Sequence, residues 1–128
     1  MDFELSPELQ ELQLRARKVA AEGVAEFGRF NDSWINGFSK GFARRMSEEG
    51  WIGMGWPKEH GGQERPPIER VIVAEEMISV GAPIAAMWFA DRQMGPTLIA
   101  YGTADQQAEY LPAMLAGETT WCIGMSEP

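Results

Sequence analysis

The chain has 128 residues, which is close to the common single-domain size of roughly 100–150 residues, so one compact core is expected. Hydrophobic residues make up 45% and charged residues 23% of the chain, an ordinary globular composition that excludes a disordered or fibrous protein. Nineteen acidic side chains against eleven basic ones give a net charge of -8, which would repel a phosphate backbone and disfavours binding to nucleic acid or to an anionic membrane.

The first two predicted helices carry clear start signals. Ser6-Pro7-Glu8 offers an N-cap hydroxyl, a proline at the first helical position and an acid in the first turn, and the apolar residues that follow recur at three- and four-residue steps as far as Phe27. A second helix is predicted from about Ser39 to Glu49. Its apolar stripe comprises Phe38, Phe42 and Met46, and Gly50 would end it.

A glycine-rich loop with two tryptophans then leads to the third predicted helix, Ile68 to Ser79. This helix is apolar on most of its circumference and is therefore predicted to be buried on several sides. A fourth helical segment is predicted from Ile84 towards Tyr101. Gly95-Pro96 should interrupt or bend it, because proline removes one amide donor and clashes with the preceding turn.

The last third of the chain predicts one more helix and one strand. Thr103 and Gln106 fit a capping box, and Pro112 makes a clean continuation of that helix to Leu115 doubtful. Thr119 to Ile123 is rich in β-branched and bulky residues and predicts a short strand. We therefore predict an all-α bundle of about five helices over residues 1–118, with residues 119–128 beginning a further β-domain, since a lone strand has no pairing partner.

The compartment follows from the cysteine count and from the absence of targeting features. Cys122 is the single cysteine, so no internal disulfide forms and nothing asks for an oxidising compartment. The acidic N-terminus does not match a signal peptide. The longest charge-free run, Met77 to Ala90, contains Gly81 and Pro83 and is shorter than the ~20 apolar residues that a bilayer requires. These features predict a soluble cytoplasmic domain.

Two candidate catalytic patterns have simpler structural interpretations. Gly37-Phe38-Ser39-Lys40-Gly41 matches the nucleophile elbow of esterases, but Asp32 to Asn36 makes a poor strand before Ser39. No aspartate stands between Ser39 and His60, and the two glutamates there fall at the end of a helix with no sheet to present the site, so we interpret Ser39 as a helix-start residue. His60 is the only histidine, which excludes a site of several histidines. It is interpreted as a polar loop residue.

Glu75 and Glu76 fall inside the most apolar predicted helix, where at least one must be partly buried. A buried carboxylate needs a partner or a raised pKa. An ion pair with an arginine such as Arg44, Arg45 or Arg92 is favoured over a catalytic role.

Six segments, taken together and in order, resemble the front half of an acyl-CoA dehydrogenase. They are Trp51-Ile52-Gly53, Pro57-Lys58-Glu59-His60-Gly61-Gly62, Val73-Ala74-Glu75-Glu76-Met77, Tyr101-Gly102-Thr103, Gln106-Gln107-Ala108-Glu109-Tyr110-Leu111-Pro112 with Gly117-Glu118, and Trp121-Cys122-Ile123-Gly124-Met125-Ser126-Glu127-Pro128. The resemblance covers essentially the whole chain. It also accounts for the predicted strand, because in this family a helical N-terminal domain leads into a middle β-domain at that point.

The resemblance implies a flavin enzyme that removes hydrogens from the α and β carbons of an acyl-CoA thioester. In the family a glutamate takes the α-proton while the β-hydrogen leaves as hydride to FAD. That glutamate lies in the C-terminal helical domain, so no catalytic residue is assigned in this chain. The implied partners are acyl-CoA, the remaining domains of the same chain, and further subunits in a homo- or hetero-tetramer.

The resemblance also implies two groups of site residues. Ile123, Gly124, Met125 and Ser126 correspond to the first part of the family's flavin loop, where backbone amides and the Ser126 hydroxyl would reach the FAD ring. Trp88, Met94 and Leu98 are the candidates for one wall of the acyl channel, with ordinary core packing as the alternative for Trp88. The alternative function is a non-catalytic helical interaction or regulatory module.

Overall fold

The computed structural model describes residues 4–124 and has the predicted all-α architecture. Within that range the chain forms five helical segments, with a short 3-10 turn at Lys58–His60. They are α1 (Pro7–Phe27), α2 (Lys40–Glu48), α3 (Pro67–Val80), α4 and α5 (Ala104–Leu115). Helix α4 comprises Ala85–Phe89, the π-helical turn Ala90–Met94 and Gly95–Tyr101.

Three helix starts are made by the side chains that the sequence predicts. The Ser6 hydroxyl accepts the Leu9 N–H at 3.4 Å at the start of α1. The Ser39 hydroxyl accepts the Phe42 N–H at 3.1 Å at the start of α2, which confirms Ser39 as a helix-start residue. Thr103 forms the predicted capping box with the residue three positions later. Each cap satisfies amide donors that a helix end would otherwise leave open.

The two internal prolines behave differently. Ahead of Pro96 the helix widens into a π turn, in which the Gly95 N–H donates to the Ala90 carbonyl five residues back, so the predicted interruption is confirmed. The doubt about a clean continuation through Pro112 proved wrong, because α5 runs through it to Leu115. The Ala116 N–H still donates to the Pro112 carbonyl at 3.0 Å, and Pro112 lies on the exposed side, where water can satisfy a freed carbonyl.

Beyond α5 a turn at 116–117 leads into a segment that has no regular structure as far as Gly124. The amides of Glu118 and Thr119 both donate to the Ala113 carbonyl, at 3.0 and 3.2 Å, and close the helix. The strand predicted at 119–123 does not form, because no neighbouring strand within residues 4–124 supplies the ladder hydrogen bonds it would need. The proposed domain boundary after residue 118 stays a prediction.

Two hydrophobic clusters hold the helices together. The main cluster joins α1, α2 and α3 to the Trp51–Met54 segment and the start of α4, with Phe42 and Met77 completely buried. The second cluster is smaller and centres on Trp56 and Met114, where α4 meets α5. The charge-free run at 77–90 contributes mostly to the main cluster, and no helix of the described residues is long and apolar enough to cross a bilayer.

Helix α3 is buried on one side only, so the prediction of burial on several sides is wrong for this chain. Its inner face packs Ile72, Val73 and Met77 against the core. Its outer face exposes an apolar stripe in which 45% of Ile68, 51% of Val71 and 42% of Ile78 is accessible. Phe38 is likewise 56% exposed, because it precedes the first turn of α2 instead of belonging to its stripe.

Candidate functional site

An apolar groove of about 230 Å³ lies between the loop before α2, the start of α4 and the C-terminal segment of the described chain. We call it the tail groove. It is lined by Ile35, Phe38, Ala85, Phe89, Thr120, Trp121 and Cys122. The groove therefore gathers apolar and aromatic side chains from three separate parts of the sequence.

The loop side of the groove is fastened to α4 by backbone contacts. The Ala85 N–H donates to the Gly37 carbonyl at 2.9 Å. A Cβ at Gly37 would lie 2.8 Å from the Pro83 Cα, so only glycine permits this approach. With the loop held there, Ile35 and Phe38 remain 52% and 56% exposed beside the first turn of α4. Large exposed apolar side chains at one place indicate a contact surface.

The C-terminal side of the groove is held by Trp121. Its ring meets Tyr110 edge to face, with centroids 5.5 Å apart and planes at 87°, and it packs on the second cluster. The Trp121 indole nitrogen is buried and has no acceptor among residues 4–124. Beyond it Cys122 is exposed, and a Cβ on Gly124 would have no atom within 4 Å. None of the amides of residues 120–124 donates to another described residue.

The three predicted channel residues lie on one helix but in two places. Trp88 belongs to the main cluster, where its ring is 6.0 Å from that of Trp34 and 4.2 Å from the Arg92 guanidinium carbon. Met94 and Leu98 lie one turn apart in the second cluster. None of the three lines the tail groove, and their role in a channel stays a prediction.

The residues that line the tail groove were not predicted as site residues from the sequence. Phe89 follows Trp88 directly, but residues 84–90 are all apolar, so periodicity did not separate the groove face of this part of the helix from its core face. The available signal was the pair Ile35 and Phe38, two large apolar residues in an otherwise polar connection. Of the predicted flavin-loop residues, Ile123 and Gly124 follow the groove directly, whereas Met125 and Ser126 lie outside the described residues.

A second concave feature, which we call the arginine pocket, lies between α2, α3, α4 and the Trp51–Met54 segment. Asp91 lies in its wall and is 3% exposed. One Asp91 carboxylate oxygen accepts the Gly53 N–H at 2.7 Å, and the Asp91 backbone carbonyl accepts the Trp56 indole N–H at 2.9 Å. Burial raises the pKa of the Asp91 carboxyl, against the lowering effects of the Gly53 hydrogen bond and of the charges of Arg70 and Arg92.

Glu76 is the buried member of the acidic pair on α3, and its role is structural. Its two carboxylate oxygens accept hydrogen bonds from Arg17 of α1, both at 2.9 Å. The prediction of an ion pair is correct, but the partner is Arg17 and not Arg44, Arg45 or Arg92. His60 lies at the end of the 3-10 turn with its Nε2 atom 3.7 Å from a carboxylate oxygen of Glu59.

Two curated relatives show how the chain compares with known proteins. FadE29 of Mycobacterium tuberculosis, an acyl-CoA dehydrogenase, is 35% identical over 130 aligned positions that cover 100% of this chain and 33% of that protein. FadE26 of the same organism, also an acyl-CoA dehydrogenase, is 39% identical over 84 positions, 66% of this chain and 20% of its own length. The chain therefore spans a third or less of these relatives.

Solved structures agree over the whole chain. The Tcur3481-Tcur3483 steroid acyl-CoA dehydrogenase superposes with a TM-score of 0.85 at 31% identity, covering 100% of this chain and 34% of that one. The ChsE4-ChsE5 complex from Mycobacterium tuberculosis gives a TM-score of 0.81 at 30% identity, with 100% and 32% covered. Residues 6–118 match the family described as acyl-CoA dehydrogenase, N-terminal domain. The chain belongs to the family of acyl-CoA dehydrogenase N-terminal domains.

Proposed function

We propose that this chain acts as the helical N-terminal domain of a flavin-dependent acyl-CoA dehydrogenase and that the tail groove forms one wall of its acyl channel. The observation that carries the proposal is the position of the groove. Its last lining residue, Cys122, stands directly before Ile123 and Gly124, which resemble the start of the family's flavin loop. An apolar wall beside a cofactor loop suits a thioester whose reacting carbons must meet the flavin.

The described part of the C-terminal segment has free backbone amides that suit contact with a flavin ring. Its amides at 120–124 donate to no residue within 4–124, and a Cβ on Gly124 would meet no atom of those residues within 4 Å, which leaves backbone donors available to a planar ring. FAD, when bound, supplies the hydride acceptor of the reaction. Ile123 and Gly124 would bring amide donors to its edge. The Met125 amide and the Ser126 hydroxyl are proposed as the further donors of the same loop.

The groove's lining favours an apolar acyl group with a flat or branched part. Phe38, Phe89 and Trp121 offer aromatic surface, which packs on ring systems as well as on aliphatic chains. Since a relative of known structure is described as a steroid acyl-CoA dehydrogenase, we propose CoA thioesters of steroid side chains as the first substrates to test, with straight-chain acyl-CoA beside them.

We also propose which part of the protein covers the exposed apolar stripe of α3. The relatives are about three times as long as this chain, and the family resemblance implies further helical and β domains. Ile68, Val71 and Ile78 would pack against helices of that longer protein, which would bury the apolar area they now expose. Because one similar structure is the ChsE4-ChsE5 complex, we propose that a hetero-tetramer be tested as an assembly alongside a homo-tetramer.

The test uses the longest polypeptide that the gene encodes. We expect it to purify with FAD and to have its flavin reduced by an acyl-CoA. Ser126→Ala should slow flavin reduction by about tenfold while FAD stays bound, because a hydrogen bond to a group that gains charge is worth about 1.5–3 kcal/mol. Phe89→Ala should weaken binding of acyl-CoA, and Tyr101→Ala serves as the matched control, since Tyr101 is 87% exposed away from the groove.

Two results would contradict the proposal. A longer polypeptide that binds neither flavin nor acyl-CoA would favour the alternative function, a non-catalytic helical interaction module. Equal effects of Phe89→Ala and Tyr101→Ala on acyl-CoA binding would remove the groove from the channel. For the 128-residue chain alone we expect weak or no FAD binding and no turnover, and a stoichiometric yellow complex that acyl-CoA bleaches would overturn that expectation.

A further inference from the structure

The arginine pocket combines an apolar interior with two cationic groups. Arg70 of α3 and Arg92 of α4 both line it, together with the buried Asp91 and apolar side chains of the main cluster. The space that the centre of a water molecule can occupy inside is about 20 Å³, little more than one water requires. Anything larger must therefore remain at the mouth.

Neither guanidinium group at this pocket has an acceptor among residues 4–124, and that of Arg92 lies against an aromatic ring. Arg92 lies over the ring of Trp88 at 4.2 Å, a cation–π contact that fixes the plane of the guanidinium and leaves its N–H edge available. Within residues 4–124 neither Arg70 nor Arg92 donates a hydrogen bond or forms an ion pair at contact distance. Partly buried guanidinium groups are normally paired with carboxylate or phosphate oxygens.

The charges around the pocket do not balance. Two cations face one carboxylate, and one oxygen of that carboxylate, on Asp91, is already engaged by the Gly53 N–H. Burial, and then the nearby charge of Arg70, lower the pKa of Arg92, so the two cations repel each other in a partly dehydrated place. A positive excess is also notable in a chain whose net charge is -8. An added anion would relieve it.

A third unpaired donor lines the same pocket. Trp51 is 1% exposed, and its indole nitrogen has no acceptor among residues 4–124. A buried donor without a partner is costly, so the unmet hydrogen-bonding capacity of the residues that line this pocket is not confined to the two arginines.

We propose that Arg70 and Arg92 form an oxyanion-binding site whose ligand is a carboxylate or a phosphate group seated at the mouth of the arginine pocket. The planar guanidinium fork matches two oxygens of either group, and the apolar interior admits at most a methyl-sized part of the ligand. The charged group stays at the mouth beside the two guanidinium groups, and the bulk of the ligand lies outside. The site is separate from the tail groove and does not depend on the proposed dehydrogenase function.

The experiment is an NMR titration of the 128-residue chain with sodium phosphate and, in a second arm, with sodium acetate, at constant ionic strength. We expect saturable shifts of the Arg70 and Arg92 side-chain N–H signals in at least one arm, and the arm with the tighter saturation identifies the preferred anion. Arg70→Gln and Arg92→Gln should each weaken binding by about tenfold, the value of one lost charge-assisted hydrogen bond. Arg44→Gln removes an exposed arginine outside the pocket and should leave binding unchanged.

A variant that is expected to tighten anion binding distinguishes a specific effect from a loss of folded structure, which could only weaken binding. Asp91→Asn keeps an oxygen for the Gly53 N–H but removes the negative charge, so anion binding should become several-fold tighter, by roughly the size of one screened charge interaction. Linear shifts that never saturate in both arms would overturn the proposal. So would equal weakening in the Arg44→Gln control, or unchanged affinity in Asp91→Asn.

Discussion

Two carboxylates with little solvent exposure lie in different regions of this small domain, and their pKa values are shifted in opposite directions. Glu76, between α3 and α1, receives two hydrogen bonds from Arg17, which together with the positive charge of that residue lower the pKa of the Glu76 carboxyl despite its burial. Asp91, in the π turn of α4, receives one backbone N–H and has its cations at a distance, so burial raises the pKa of its carboxyl.

The difference shows that burial alone does not decide the state of a carboxylate. A guanidinium fork in direct contact outweighs the loss of hydration, whereas charges without contact do not. The two carboxylates also have different structural roles. The Glu76 pair joins two helices, while Asp91 links α4 to the Gly53–Trp56 segment and leaves the neighbouring arginines available. Four variants test this comparison.

The largest effect is expected from Gly95→Ala, which breaks the Asp91 region by overpacking. A Cβ at Gly95 would overlap the Trp56 ring, whose indole N–H donates to the Asp91 carbonyl. We expect a loss of about 3 kcal/mol in the free energy of unfolding, measured by urea denaturation. Gly55→Ala is the matched control, since a Cβ there meets nothing within 4 Å and should cost almost nothing. Similar losses in both variants would show that close packing at Trp56 is not the cause.

Asp91→Ala should follow, with a loss of about 2 kcal/mol, because it leaves the buried Gly53 N–H without its acceptor. Urea denaturation gives the magnitude, and hydrogen exchange at the Gly53 amide gives the cause. Protection of that amide should fall more than protection of amides in α1. An unchanged Gly53 exchange rate would mean that Asp91 does not hold this segment.

Glu76→Gln is expected to cost about 1 kcal/mol or less at pH 7, because Arg17 is 58% exposed and water screens the pair. Glu75→Gln is the control on the exposed neighbouring position of α3. The lowered pKa of Glu76 means that its contribution is present above the ordinary value of 4.5 and is lost as the pH falls through its lower folded-state pKa. A difference between wild type and Glu76→Gln that persists unchanged into strong acid would contradict the ion pair.

Asp91→Asn should have the smallest effect and the opposite sign. The amide oxygen can still accept the Gly53 N–H without carrying a buried charge, so stability at pH 7 should stay equal or rise by less than about 1 kcal/mol. The raised pKa means that the charged form weakens the folded state. Wild type should therefore approach the variant as the pH falls from above the folded-state pKa of Asp91 to its ordinary value of 3.8. A clear loss of stability at neutral pH would show that the Asp91 charge is needed by Arg70 and Arg92.

Local sequence signals determined the helices of this protein. Serine and threonine caps at Ser6, Ser39 and Thr103 act within three residues of their own position, so they can be read without knowing the fold. The proline that follows the π turn also acts locally, and the order and spacing of the motifs along the chain are sufficient to indicate its family. The prediction failed at Pro112 because the exposure of a turn to water is not a local property.

The tertiary structure alone decided which partner each buried group received and where the surfaces lie. Glu76 meets Arg17 across 59 positions of sequence, and Asp91 meets Gly53 across 38, distances over which spacing carries no information. The tail groove joins residues near 35, 89 and 121, which only the packing of a loop, a helix and a C-terminal segment brings together. Pairing of this kind depends on how several apolar faces are buried at once, and a single chain read in order does not contain that choice in any one segment.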